Sequence, residues 1–174
     1  GKIDIQGPDA SALLDLVYIN MFSTLKVGRV RYGLMLREDG YVMDDGTTAR
    51  LSEHHFVMTT TTAAAGAVMR HLEFVTQVLR PDLNVRLMSV TEQWAQFSVA
   101  GPKSRDLLNG LLDQPIDNDE WPFMACGDVS ISGIKGRLFR ISFSGEHAYE
   151  IAVPARYGDS LFRLLKAQVE AGGG

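Results

Sequence analysis

Ile5-Gln6-Gly7-Pro8-Asp9-Ala10-Ser11-Ala12-Leu13-Leu14 has an echo in Val99-Ala100-Gly101-Pro102-Lys103-Ser104-Arg105-Asp106-Leu107-Leu108. Each copy ends an alternating apolar run on Gly-Pro and then opens an amphipathic stretch. Proline suits the first turn of a helix, where no backbone N–H is lost. Each copy is followed by strand-like runs joined by a Gly-containing turn, and then by a second helix. The chain therefore reads as an internal duplication, with halves of about 1–82 and 83–174. Consecutive strands joined by hairpin-length turns suit mixed or antiparallel sheets rather than a doubly wound parallel one, so the fold class is α+β.

Around the first copy, Lys2 to Gln6 alternates as a strand, and Ala10 to Val17 is a helix with Leu13, Leu14 and Val17 on one face. Arg29 to Leu36 is a strand carrying Val30, Tyr32, Leu34 and Leu36 on one face, and Glu38-Asp39-Gly40 is a tight turn. Tyr41 to Leu51 returns as a strand interrupted at Asp44-Asp45-Gly46. Glu53 to Thr60 is another strand, and Thr62 to Leu79 is a helix closed by Pro81. Around the second copy, Val85 to Val90 and Gln93 to Ala100 are strands, and Gly101-Pro102 opens a helix reaching Leu112. Gln114 to Met124 is a loop. Val129 to Ile131, Gly136 to Phe143 and Ala148 to Val153 are strands, and Pro154 to Val169 is the last helix.

A chain of 174 residues, 45% hydrophobic and 22% charged, can bury its own core. Its 17 basic and 21 acidic residues are well mixed, and no Lys/Arg run offers itself to a phosphate backbone, so no nucleic-acid partner is expected. No apolar run approaches the ~20 residues that span a bilayer, and no leader peptide opens the chain, so no membrane is expected. Cys126 is the single cysteine, which excludes an internal disulfide; that suits a reducing compartment such as the cytoplasm, and a secreted protein without disulfides would also fit. The chain starts without Met inside a strand and stops just after a helix.

Several chemistries are excluded by pattern. His54-His55 is an adjacent pair that a strand sends to opposite faces, His71 and His147 stand alone, and no spacing resembles a metal site. There is no phosphate loop and no Gly-x-Ser-x-Gly elbow, and a lone Cys126 beside glycine reads as packing. The carboxylates say more. Asp44-Asp45 sits inside an apolar, Thr-rich strand, where two acids are costly unless solvated, hydrogen-bonded or functional. One reading is a β-bulge whose aspartate satisfies backbone N–H groups; the other is catalysis. Glu146 and Glu150 follow the Ser144-Gly145 turn, and Glu150 reads either as a solvated strand residue or as a site residue. Asp45 and Glu150 each lie early in the outgoing strand of a hairpin, one per half, so halves related by a twofold axis would send both to one cleft.

Gly1-Lys2-Ile3-Asp4-Ile5-Gln6-Gly7, Leu36-Arg37-Glu38-Asp39-Gly40-Tyr41-Val42-Met43-Asp44-Asp45, Val99-Ala100-Gly101-Pro102 and Ser144-Gly145-Glu146-His147-Ala148-Tyr149-Glu150-Ile151 resemble the aminomethyltransferase family. That family includes the T-protein of the glycine cleavage system and the folate domains of dimethylglycine and sarcosine oxidases. Within it, Asn20-Met21-Phe22-Ser23-Thr24-Leu25-Lys26-Val27-Gly28, Asp45-Gly46-Thr47-Thr48-Ala49-Arg50 and Val90-Thr91-Glu92-Gln93-Trp94-Ala95-Gln96-Phe97 are similar to alpha subunits of bacterial heterotetrameric sarcosine oxidase.

The resemblance implies an aminomethyltransferase-like folate-binding fold and tetrahydrofolate as ligand. In such oxidases the carbon removed from sarcosine is captured as methylenetetrahydrofolate, with glycine and hydrogen peroxide formed by the whole enzyme. It implies that Asp45 is the acid beside the reactive folate nitrogens and that Glu150 accepts hydrogen bonds from the pterin. Tyr32 and Leu34 would line the pterin pocket, with Thr59 or Thr60 as a polar pocket position and no metal. Phe143 stands where the T-protein has a tyrosine, so a hydroxyl contact is lost there. The resemblance further implies a longer parent subunit with a C-terminal barrel domain, an additional pocket arginine, and FAD and NAD held elsewhere. The other oxidase subunits would be its partners. The 174-residue chain alone is then expected to bind folate weakly or not at all and to lack turnover. A T-protein-like transferase and a non-catalytic assembly domain are the alternatives.

Overall fold

The computed structural model describes residues 1–172 and divides into two units, Gly1–Thr91 and Glu92–Gly174. The boundary falls after Thr91 and not near residue 82, because the short strand Arg86–Ser89 pairs with the first strand of the chain.

The first unit contains β1 (Lys2–Gln6), α1 (Ala10–Val17), β2 (Arg29–Leu36), β3 (Val42–Ser52), β4 (His55–Thr59), α2 (Ala65–Phe74) and β5 (Arg86–Ser89). Its sheet has the order β2-β3-β4-β1-β5, and all neighbours are antiparallel. The two helices cover one face. Ile3, Ile5, Met35, Phe56 and Met58 from the sheet bury against Leu13, Leu14, Val68 and Leu72. Each such side chain contributes roughly 1.5–3 kcal/mol when fully buried.

The second unit contains β6 (Trp94–Ala100), α3 (Ser104–Asn109), β7 (Cys126–Ile131), β8 (Ile134–Phe139), β9 (Ala148–Pro154) and α4 (Gly158–Ala171). Its antiparallel sheet runs β6-β9-β8-β7. Val99, Leu138, Tyr149 and Ile151 meet Leu108, Leu161 and Leu165 in its core.

The repeat seen in the sequence is a repeat of topology: β2-β3-β4-β1 in one unit corresponds to β7-β8-β9-β6 in the other. It extends to atomic detail at the Gly-Pro turn. Gly7 has φ 138° and Gly101 φ 122°, a region that favours glycine. The Gly7 N–H donates to the His54 carbonyl, and the Gly101 N–H to the His147 carbonyl, both at 2.9 Å. The Gly7 carbonyl accepts from Ala10 and the Gly101 carbonyl from Ser104. Asp9 (φ −98°, ψ 13°) and Lys103 (φ −96°, ψ 4°) then match the third residue of a type I turn. Proline thus fills the second position of that turn, ahead of the helix cap and not inside the first helical turn. In each core an arginine lies over the central ring, Arg50 5.1 Å from Phe56 and Arg140 5.2 Å from Tyr149.

Several boundaries differ from the sequence reading. Glu53-His54 is a turn, so the histidine pair is not a strand pair. The helix expected over 62–79 is a 3-10 turn (Thr62–Ala64), α2, and a π turn (Val75–Leu79). The helix after Gly101 ends at Asn109, and the one after Pro154 begins as a 3-10 turn, Ala155–Tyr157. β7 starts at Cys126 and β8 ends at Phe139, the outermost paired residues of a hairpin that turns at Ser132-Gly133 with positive φ at both. Cys126 is buried. Among the described residues, no helix is long and apolar enough to cross a membrane.

The two turn glycines differ in what surrounds them. A Cβ on Gly7 would lie 2.2 Å from the Asn84 carbonyl oxygen, whereas nothing lies within 4 Å of one on Gly101. In urea unfolding of this chain, Gly101→Ala is expected to cost about 1–3 kcal/mol from backbone strain alone. Gly7→Ala is expected to cost clearly more.

Candidate functional site

In the first unit, strand alternation sorts the sequence candidates by face. Tyr32 pairs with Thr47 and Leu34 with Asp45 across β2 and β3. Residues directly opposite share a face, so Tyr32, Leu34, Asp45 and Thr47 lie together on the side of the sheet away from Met35, Phe56 and Met58. Thr59 joins them: its hydroxyl lies 2.9 Å from that of Thr47 and donates to the Thr47 carbonyl at 3.1 Å. Asp45 is exposed, Tyr32 is 46% exposed, and Leu34 is half-buried. The Leu34 N–H is held by the Asn20 side chain at 2.9 Å, which fixes the sheet edge at that point. Thr60 is outside the set, beyond the end of β4, with its hydroxyl donating to the Thr61 carbonyl.

Asp44, next in sequence to Asp45, does something else. It is 6% exposed, and both its oxygens lie 3.3 Å from the Thr61 N–H. The β-bulge reading is therefore the right one for Asp44, although the bulge itself is at Met43: Leu36 pairs with Val42 and Met35 with Asp44. The strand is continuous through Asp44-Asp45-Gly46, not interrupted there. Behind it, the Tyr18 phenol is pushed up to about 12. Burial is the main cause; the Thr48 hydroxyl opposes it, and Asp44 and Asp45 add to it. Tyr18 stays neutral at any ordinary pH.

In the second unit, Glu150 pairs with Ser98 on one side and Phe139 on the other, on the face away from Tyr149 and Ile151. Its carboxylate accepts a hydrogen bond from the Gln96 amide. Asp45 and Glu150 do not occupy equivalent places in the repeat. Asp45 is on β3, whereas β9 corresponds to β4, where the Gly-Pro register matches Glu150 with Val57. Beside Glu150, the Tyr149 hydroxyl lies 3.1 Å from His147 Nε2. Burial and then Arg140 and Arg105 hold His147 below its ordinary value of 6.5. Phe143 is fully exposed.

Sequence reasoning named Asp44 as an acid that could satisfy backbone N–H groups, and missed two other participants. Thr47 had the same face periodicity as Asp45. Gln96 had none, because its partner is far away in the chain. The chemistry of the first-unit set, a carboxylate beside an aromatic ring, an aliphatic wall and an anchored hydroxyl, fits a flat, nitrogen-rich ligand with N–H donors. Among the described residues no group of three or more His, Cys, Asp or Glu side chains could hold a metal ion.

Residues 1–173 match the family described as the GCVT N-terminal domain. The sarcosine oxidase subunit alpha of Rhizobium meliloti (strain 1021) is 57% identical over 174 residues, which cover 99% of this chain and 17% of that protein. An aminomethyltransferase of Symbiobacterium thermophilum is 33% identical over 175 residues, covering 99% of this chain and 45% of that one. The crystal structure of glycine cleavage system aminomethyltransferase T from Bartonella henselae superposes with a TM-score of 0.79 at 23% identity, over 94% of this chain and 42% of that one, a likeness of fold. The chain spans less than half the length of each.

Two measurements test this geometry. In urea unfolding, Asp44→Ala should cost about 0.5–1.5 kcal/mol by removing the partly buried bond from the Thr61 N–H, whereas Asp45→Ala should stay within about 0.5 kcal/mol. His147 titrates below its unfolded value, so its contribution is complete above pH 6.5 and is lost as pH falls toward its folded value. The unfolding midpoint of the parent chain should accordingly drop further than that of His147→Gln as pH is lowered from 6.5.

Proposed function

Because the chain belongs to the GCVT N-terminal domain family, we propose that it is the tetrahydrofolate-binding part of the alpha subunit of a heterotetrameric sarcosine oxidase. The observation that carries this reading is the 57% identity, over the whole chain, to a protein named sarcosine oxidase subunit alpha. The aminomethyltransferase relative, at 33%, is more distant. The partners are then reduced folate and the other oxidase subunits, with FAD and NAD held by other parts of the complex.

When bound, tetrahydrofolate supplies the nucleophilic nitrogens that take up the one-carbon unit removed from sarcosine. Asp45 is the catalytic carboxylate in this reading: exposed on the second face of the sheet, it holds the folate amine and moves its proton. Tyr32 and Leu34 form a flat apolar wall for the pterin, and Thr59, anchored by Thr47, offers a hydroxyl of fixed position. Glu150, aligned by Gln96, accepts from a pair of pterin N–H donors. Thr60, with its hydroxyl turned to Thr61, is the weaker candidate for the polar position.

In the complete oxidase, Asp45→Ala should leave amine oxidation intact and lower the folate-dependent product by about 10²–10⁴-fold. Calorimetric titration with folinic acid should show Glu150→Ala weakening binding. An unchanged folate-dependent product with Asp45→Ala would assign the chain a purely structural place in the complex. Transfer to folate without any flavin subunit would make it a T-protein-like transferase.

A further inference from the structure

The strand that carries Tyr32 and Leu34 is least self-supporting where the candidate site needs it fixed. β2 ends the sheet order, and among the described residues β3 is its one neighbouring strand. Gly33 stands opposite Gly46, so no side chains pack across the two strands on the core face at that point. Two residues further on, the register shifts between Met35 and Leu36. The Leu34 N–H and C=O are both bonded on the open edge, away from β3. Leu34 and Asp45 therefore face each other with no ladder hydrogen bond between them. This is the closer kind of antiparallel pair, with Cα atoms about 4.5 Å apart.

The segment that follows α1 braces this weak stretch. At Tyr18 the helix gives way to extended backbone, with φ −107° and ψ 154°. The Tyr18 ring occupies the space over Gly33, where a Cβ would meet a ring carbon at 2.7 Å. The Ile19 N–H donates to the Leu34 carbonyl at 3.1 Å, and the Asn20 side-chain oxygen accepts the Leu34 N–H at 2.9 Å. A side-chain amide thus stands in for a further strand. In extended backbone, successive side chains turn to opposite sides. Tyr18 is packed in the core, so Ile19 is turned to the face of Leu34 and Asp45, and it is 60% exposed.

We propose, building on the folate reading, that Ile19 and Asn20 belong to the site in two roles. Ile19 continues the wall of Tyr32 and Leu34 past the sheet edge and covers part of the ring system of the bound folate. An apolar side chain this exposed beside an apolar wall gains from being covered. Asn20 is a positioning residue. It holds the Leu34 backbone, and through that strand it sets the distance between the wall and the Asp45 carboxylate.

Calorimetric titration of the complete oxidase with folinic acid, together with hydrogen exchange at Leu34 without folate, tests both roles. Ile19→Ser should weaken binding about fivefold by removing apolar contact. It should leave Leu34 exchange as it was, because the Ile19 N–H is kept. Asn20→Leu should speed Leu34 exchange about tenfold and weaken binding about threefold to tenfold. Asn20→Asp keeps an oxygen for the Leu34 N–H and should recover most of both losses. Glu150→Ala separates this proposal from the reading beneath it. Weaker binding with Glu150→Ala but parental binding with Ile19→Ser and Asn20→Leu would overturn the proposal and leave the folate reading standing. Parental binding with all three would overturn both. Asn20→Asp behaving as Asn20→Leu does would remove the positioning role.

Discussion

Pairing between the first strand of each unit and a strand that arrives much later closes both cores. β1 meets β4 and β6 meets β9, which sets Ile3 and Ile5 beside Phe56 and Met58, and Val99 beside Tyr149 and Ile151. Closing such long loops costs chain entropy, and the return comes only from the apolar side chains brought together. The Gly-Pro turn is tied into this closure, because the turn glycine donates to the carbonyl just before β4 or β9. The helix after the turn therefore starts from a point already fixed to the late strand. The hairpins then extend a sheet whose centre exists.

The repeated topology sets the scaffold, and the outward chemistry of the two units differs. Phe56 and Tyr149 keep the same buried place beneath an arginine. Their outward neighbours differ: Val57 is buried and apolar, whereas Glu150 is a carboxylate held by Gln96. A core position must match the volume of its neighbours, so the repeat preserves it. A residue on the second face answers only to what it binds. This is why the two carboxylates singled out by the sequence are not a symmetric pair.

The Gly-Pro echo and the apolar periodicities made the order of elements legible, including every helix and all nine strands named in the sequence reading. Strand alternation by itself also places Tyr32 and Leu34 on one face, and the register of β2 with β3 adds Asp45 to it, with Thr59 joined through Thr47. What was not legible depended on partners distant in the chain. The unit boundary moved because Arg86–Ser89 finds β1. The helix expected over 62–79 is three windings, and apolar periodicity does not distinguish a 3-10 or π turn from an α turn at its ends. Glu150 could not be linked to Gln96, nor Thr59 to Thr47, without the pairing of their strands.

The extra residue at Met43 acts as a change of phase. In a strand, side chains obey parity, and one inserted residue exchanges odd for even from there onward. Were the pairing of Leu36 with Val42 continued without the bulge, residue 44 would stand opposite Leu34 and residue 45 opposite Gly33. The carboxylate that now braces Thr61 would then face outward, and the one now beside Tyr32 and Leu34 would be turned toward the buried Tyr18. Two chemically identical neighbours thus receive opposite fates from the count of residues before them. A one-residue insertion or deletion in the turn between β2 and β3 would rewrite the surface more thoroughly than most substitutions within the strands themselves.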